Sequence, residues 1–234
     1  LLAERGEADQ AVRLLRGLLD NSPGDRDVHL TIAQVYERAR RYAEAETAAR
    51  RAEQLSKGSA EKEVAWFLLG AIYERWHKYD QAEQQFKKVL EANPRHSGAL
   101  NYYGYMLADR GLRLPEAVSL IQRALAEEPH NGAYLDSLGW AYYKLGRYAE
   151  AEEQLRRAAE RSSHDPTIRE HLGDVYAKLG RHEEAHQQWD RALVEWKRSS
   201  PAEYEPEKVA AVEKKLRESK SRLAQQKSTE NKQD

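Results

Sequence analysis

One phrase of residues returns at a fixed interval along the chain, and any fold must accommodate it. Leu138, Gly139, Tyr142, Gly146, Ala151 and Ala158 are followed 34 residues later by Leu172, Gly173, Tyr176, Gly180, Ala185 and Ala192. Gly70 and Gly104 keep the 34-residue spacing, whereas Ala82 to Ala117 and Pro94 to Pro129 are both 35 apart, so one residue is inserted between Gly111 and Ala117. Ala45 to Ala82 is 37, which assigns three further residues to the polar stretch Ser56 to Ala60, read as a connection. Connections tolerate insertions, so the register survives. A period of this length marks a supersecondary unit stacked on copies of itself.

Each period reads as two helices. Tyr134 to Leu145 is apolar and aromatic, Gly146 marks a turn, and Tyr148 to Ala159 carries small and apolar residues three and four apart. Gly139, Gly173, Ala82, Ala151 and Ala185 are small enough to let two helices approach closely. Pro23, Pro94 and Pro129 share one place, where a missing amide donor stops the second helix. With only 13 Gly and 7 Pro, and with Ala, Leu, Glu, Arg, Gln and Lys dominant, the composition also favours long helices over sheets. The expectation is an all-α chain of helical hairpins.

Trp66, Leu69, Gly70, Tyr73, Ala82, Phe86 and Pro94 carry nearly the whole signature of the tetratricopeptide repeat, which the chain resembles over most of its length. The resemblance implies a right-handed superhelical solenoid of helix-turn-helix repeats at 26–62, 63–96, 97–131, 132–165 and 166–200. A partial hairpin at 1–25 precedes them, and a C-terminal capping helix at 201–226 follows. Val209, Val212, Leu216 and Leu223 fall on one face of that helix, as a cap over the last hairpin requires. Residues 227–234 lack apolar side chains and are expected to be a disordered tail. Individual repeats depart from the signature: Arg40 and His77 replace the turn glycine, Ala33 replaces the packing glycine, and His29, Tyr102 and Arg169 stand near the usual Trp. Leu14, Leu15, Leu18 and Leu19 leave the first apolar face bare, which implies upstream repeats or self-association through that end.

Composition removes several function classes. Zero Cys excludes disulfides, thiolate nucleophiles and Cys-bound metal centres. A formal charge of −1, from 38 basic and 39 acidic side chains, provides no global field toward nucleic acid or an anionic membrane. No apolar run approaches the ~18 residues of a membrane span. The chain opens on Leu1 rather than Met, so any targeting segment is expected upstream.

His182, Glu183, Glu184, Ala185 and His186 spell H-E-x-x-H, the helical zinc-hydrolase pattern. The repeat explains the same segment, because Tyr148 to Glu152, Tyr79 to Glu83 and Tyr42 to Glu46 occupy the equivalent five positions. No third His follows at the spacing that would complete a site. No Ser-His-Asp arrangement or clustered glycine loop accompanies it. No catalytic residue, metal site or cofactor is assigned, and a non-enzyme is expected. A zinc hydrolase built on His182 and His186 and a helical-repeat RNA binder are the rivals. The second is opposed by the near-zero charge and by carboxylates at inner positions.

In proteins of the resembled family the first helix of each hairpin lines a concave groove. Carried over by register, that surface includes Leu30, Gln34, Phe67, Ala71, Asn101, Tyr105, Asp136, Trp140, Tyr143, Glu170 and Asp174. Phe67, Asn101, Tyr105, Asp136, Trp140, Tyr143, Glu170 and Asp174 form the expected ligand-binding set, with Tyr105, Trp140 and Tyr143 as the aromatic contacts. Rigid rings beside polar groups suit peptide binding, since they bury large area at small entropic cost. Asp136, Glu170 and Asp174 stand where family members that hold acidic C-termini carry Lys, Arg and Asn, so a carboxylate ligand would be repelled there. Arg38, Arg75, Lys144 and Lys178 recur one turn further on and read as a salt-bridged or solvated rim. The resemblance thus implies a protein-interaction scaffold whose partner is a protein or peptide segment, with no nucleic acid and no membrane insertion. The stretch Asn101 to Arg110 with Leu135 to Trp140 is similar to bacterial repeat proteins, some of them outer-membrane lipoprotein adaptors for periplasmic proteases. That similarity points to the periplasm or outer membrane, with the cytoplasm as the alternative.

Overall fold

The computed structural model describes residues 7–200 and 204–230. Twelve helices are seen among the described residues: α1 (Ala8–Arg16), α2 (Asp25–Arg38), α3 (Tyr42–Leu55), α4 (Ser59–Arg75), α5 (Tyr79–Ala92), α6 (Ser97–Asp109), α7 (Leu114–Glu127), α8 (Gly132–Lys144), α9 (Tyr148–Arg161), α10 (Pro166–Lys178), α11 (His182–Arg198) and α12 (Pro206–Glu230). None of them is long and apolar enough to cross a membrane. Two compact units are present, one running to Met106 and the other beginning at Leu107 within α6. In the first, α2 pairs with α3 and α4 with α5, and α1 packs on α2; in the second, α8 pairs with α9, α10 with α11, and α12 lies on α11.

The five tight turns share one hydrogen-bonding scheme. The amide of Arg41 donates to the carbonyl of Tyr36, and Lys78 to Tyr73, Leu112 to Leu107, Arg147 to Tyr142 and Arg181 to Tyr176 repeat it. This bond closes a helix end only when the preceding residue is left-handed. Gly111, Gly146 and Gly180 adopt φ of 67°, 76° and 76°, and Arg40 and His77 are forced to 57° and 59°. Except at Leu112, the residue that ends the turn is a cation lying over the ring of the tyrosine whose carbonyl its amide bonds, 4.6 Å for Arg41 on Tyr36 and 4.3 Å for Arg181 on Tyr176. The inserted residue near Gly111 is absorbed by Arg113, a second left-handed position at φ 45° immediately before α7.

The three extra residues near Ser56 have a different outcome from the expected loop. The connection is only Ser56 to Gly58, and Ser59 and Ala60 already belong to α4. That helix is 17 residues long against 13 for α6, α8 and α10. The insertion therefore lengthens a helix by about one turn, and Glu61 accepts from the amide of Lys57 at 2.8 Å ahead of it. The C-terminal boundary also moves, since α12 continues to Glu230 and four residues of the expected tail, Lys227 to Glu230, are helical. Of the expected segments, residues 1–6, 201–203 and 231–234 lie outside the described residues.

The small positions face large ones. A Cβ added to Gly70 would lie 2.5 Å from the Phe86 ring, one on Gly139 would lie 2.6 Å from Leu155 Cγ, and one on Gly173 would lie 2.5 Å from Trp189 Nε1. In the first full hairpin Ala33 replaces this glycine, and Ala49 holds the register position of Phe86, Leu155 and Trp189; both are fully buried. Tyr36, Tyr73, Tyr142 and Tyr176 are core residues, as their shared repeat position requires. Val209 and Val212 of α12 are buried and Leu216 and Leu223 half-buried.

Candidate functional site

The first-helix positions differ between the two units. In the first, Phe67 is half-buried on α4, 5.0 Å from the His96 ring and 5.3 Å edge-on from Tyr102. Asn101 is buried on α6, and its side-chain oxygen has no hydrogen-bond partner among the described residues. Tyr105 is half-buried one turn further on. This part of the expected set is aromatic and neutral.

In the second unit the expected residues are bound up in internal contacts. Asp136 on α8 is buried and accepts from His171 Nδ1 of α10 at 2.9 Å. Trp140 stacks on the His171 ring at 4.1 Å and 12° and on Tyr143 at 4.8 Å and 6°, while its indole N–H donates to Asp109 at 3.0 Å. Lys144 reaches the Asp109 carbonyl at 2.6 Å and lies 5.0 Å from the Trp140 ring centre. Burial and the nearby Asp174 carboxylate push the Tyr143 hydroxyl up to about 12.

Glu170 and Asp174 receive the same lysine. Lys215 of α12 donates to Glu170 at 2.8 Å and to Asp174 at 2.7 Å, and the Trp189 indole N–H also donates to Asp174 at 2.9 Å. Burial disfavours the Lys215 ammonium, but the two carboxylates outweigh it and hold the group above its ordinary range. His171 shows the same balance. Burial lowers it, and Asp136, Asp174 and Glu170 together raise it above 6.5, favouring the imidazolium. Asp136, Glu170 and Asp174, expected to repel a carboxylate ligand, are thus engaged internally: Asp136 is paired with His171 of α10, and Glu170 and Asp174 share Lys215 of α12. His171, Trp189 and Lys215 were missed in the sequence. The only hint of Lys215 was its place beside the apolar face of α12.

The rim reading survives where partners are seen, with Arg75 on Glu37 at 2.7 Å and Lys144 on Asp109. The H-E-x-x-H segment opens α11. Ala185 is fully buried, as the packing role predicts, and Glu184 pairs with Arg181, which also holds Glu152 at 2.7 Å. His186 Nδ1 is buried without a partner among the described residues, and no three His, Asp or Glu side chains gather there into a metal-holding group.

Profiles described as Tetratricopeptide repeat match residues 2–61, 64–96, 107–162 and 137–203. A TPR repeat-containing protein of Pseudomonas aeruginosa is 40% identical over 81 residues, which are 35% of this chain and 14% of that relative's length. The crystal structure of a thermophilic TPR protein from Thermus thermophilus superposes with a TM-score of 0.67 at 20% identity, covering 83% of this chain and 98% of that one. PilW, a type IV pilus biogenesis factor, gives 0.65 at 21% identity over 85% and 91%. MamA from Desulfovibrio magneticus gives 0.58 at 19% over 72% and 93%. With its repeats matched along most of its length and its hairpins built on one scheme of turns, the chain belongs to the tetratricopeptide repeat family.

Proposed function

We propose that the protein is a non-enzymatic scaffold that holds a protein or peptide segment against the first helices of its hairpins. The observation that carries this reading is the seat of α12. A helix of the chain itself lies on the last hairpin and inserts Lys215 between Glu170 and Asp174. A cation fixed by two carboxylates beside aromatic rings is chemistry by which this kind of surface receives a polypeptide. The half-buried rings of Phe67, Tyr105 and Tyr143 are the groups through which a partner is gripped, since they offer area with few rotamers to freeze. The stretch resembling lipoprotein adaptors falls on α6 and α8, two of these first helices. A periplasmic protein partner belongs to the same proposal.

A photo-crosslinking amino acid at Phe67, Tyr105 or Tyr143 should trap a protein partner. The same group at Val194, exposed on the second helix α11, should not. Equal trapping at all four positions would defeat the assignment.

A further inference from the structure

The repeat position normally filled by Trp is unfilled in two hairpins, and both sites are charged crevices. Trp66 stands at this position in α4, and Leu100 and Leu135 fill it, almost fully buried, in α6 and α8. In α2 the residue is His29 and in α10 it is Arg169. Each leaves a crevice, about 590 Å³ beside His29 and about 230 Å³ beside Arg169. The two match side chain for side chain 140 residues apart, with Arg16 and Arg156, Ile32 and Leu172, and Tyr36 and Tyr176 at equivalent places.

The larger crevice has uncommitted positive charge. Arg16 and Arg51 line it, both exposed, and neither has an ion-pair partner among the described residues; Arg51 makes only a 3.3 Å bond to Gln54. The carboxylates around them are engaged elsewhere. Glu44 pairs with Arg41, Glu46 with Arg50 and the Tyr73 hydroxyl, and Asp25 accepts from the amides of Asp20 and Asn21. Burial and then Arg51 pull His29 below its ordinary value, opposed by Asp25, with Arg16 adding the smallest contribution. Ile32, Tyr36 and Ala48 supply an apolar floor. The smaller crevice repeats the pattern with Arg156 and Arg169, but whereas Glu44 and Glu46 in the larger lining are ion-paired, Glu160 in the smaller one has no ion pair among the described residues, so it is the weaker anion site. At about 100° per residue, His29, Ile32 and Tyr36 lie on average about 140° around α2 from Leu30 and Gln34, so this surface is not the first-helix groove.

We infer that the crevice formed by α1, α2 and α3 is a second docking site, which takes an acidic peptide segment: a carboxylate between Arg16 and Arg51, and an adjacent apolar side chain on the Ile32 and Tyr36 floor. A phosphate group alone would leave that floor uncovered, which is why a peptide is the fitting occupant.

The test uses the full chain and a dye-labelled, end-blocked peptide of three glutamates and two leucines, followed by fluorescence anisotropy at low ionic strength. Saturable binding is expected, weakened by salt and absent for the same peptide with glutamines. In the Arg16→Glu, Arg51→Glu variant affinity should fall about tenfold or more. Its circular dichroism and melting should be unchanged, because neither side chain has an ion pair to lose. Adding Arg156→Glu and Arg169→Glu should remove what binding remains. Should the charge-reversed protein not fold, Arg16→Gln, Arg51→Gln serves in its place. No binding, equal binding of the glutamine peptide, or a folded variant with wild-type affinity would each overturn the inference. Tripolyphosphate binding as tightly as the peptide through the same arginines would overturn the peptide as occupant.

Discussion

Gly70 and Phe86 provide a test in which the predicted sign reverses. In the wild type an alanine methyl at Gly70 would sit 2.5, 2.7 and 2.9 Å from three atoms of the Phe86 ring, which is fully buried. Overpacking of this kind costs ~1–3 kcal/mol, and the gain in helix propensity from Gly to Ala returns ~1 kcal/mol, so Gly70→Ala should destabilise by up to about 2 kcal/mol. Phe86→Ala alone should cost about 3–5 kcal/mol. With the ring gone, the added methyl meets no clash and the propensity gain remains. Gly70→Ala should then stabilise the Phe86→Ala background by about 1 kcal/mol. The chain already contains this combination in another hairpin, where Ala33 and Ala49 hold the two register positions and both are buried. Urea unfolding of the four proteins by circular dichroism, with hydrogen exchange of α4 and α5 to localise the effect, completes the cycle. If Gly70→Ala shifted stability in the same direction in both backgrounds, close approach would not be the reason for the glycine.

Three further outcomes are expected. Arg40→Gly and His77→Gly should each raise the urea midpoint by the equivalent of about 0.5–1 kcal/mol, since both residues are held at positive φ, and Gly146→Ala should lower it by a similar amount. Lys215→Met leaves Glu170 and Asp174 without their cation and should destabilise the docking of α12 by about 1–3 kcal/mol, read as faster amide exchange in α12. Adding Glu170→Gln and Asp174→Asn should recover most of that loss. The raised value of His171 means that its contribution to stability is full below pH 6.5 and is lost as pH rises through the folded value. Trp140 fluorescence, taken as the difference between wild type and Trp140→Phe, should follow that titration because an imidazolium stacked on indole quenches it; a flat profile, or one unchanged in His171→Gln, contradicts the pairing.

The parts of the fold that were legible in the sequence are those fixed by one residue at one repeat position. The close-approach Gly139 and the left-handed Gly146 and Gly180 can be read this way, because glycine meets each geometry at least cost, although Arg40 and His77 are held in the same turn elsewhere. The insertion after Ser56 was misread. Polar residues suit an exposed first turn of a helix as well as a loop, and only tertiary contacts decide between them. The site was less legible for a related reason. Asp136, Glu170 and Asp174 were found by register, but register says nothing of the side chain opposite. His171 comes from the next hairpin, and Lys215 lies 45 and 41 residues beyond its partners, on a helix outside the repeat.

Those two cations also explain what a cap must supply here. Asp136 on α8 is answered by His171 on the first helix of the following hairpin, one repeat later. Glu170 occupies the position of Asp136 in α10, and its cation comes from α12. Covering the apolar face of α11 with Val209 and Val212 would satisfy the hydrophobic requirement alone, yet it would leave Glu170 buried without a charge partner. Because α12 brings Lys215 to the position where a next hairpin would bring its own cation, the helix replaces the electrostatics of a repeat as well as its packing. A cap redesigned for apolar coverage but lacking a cation at 215 should therefore bind α11 and still exchange its amides faster than wild type, a result that apolar burial alone would not produce.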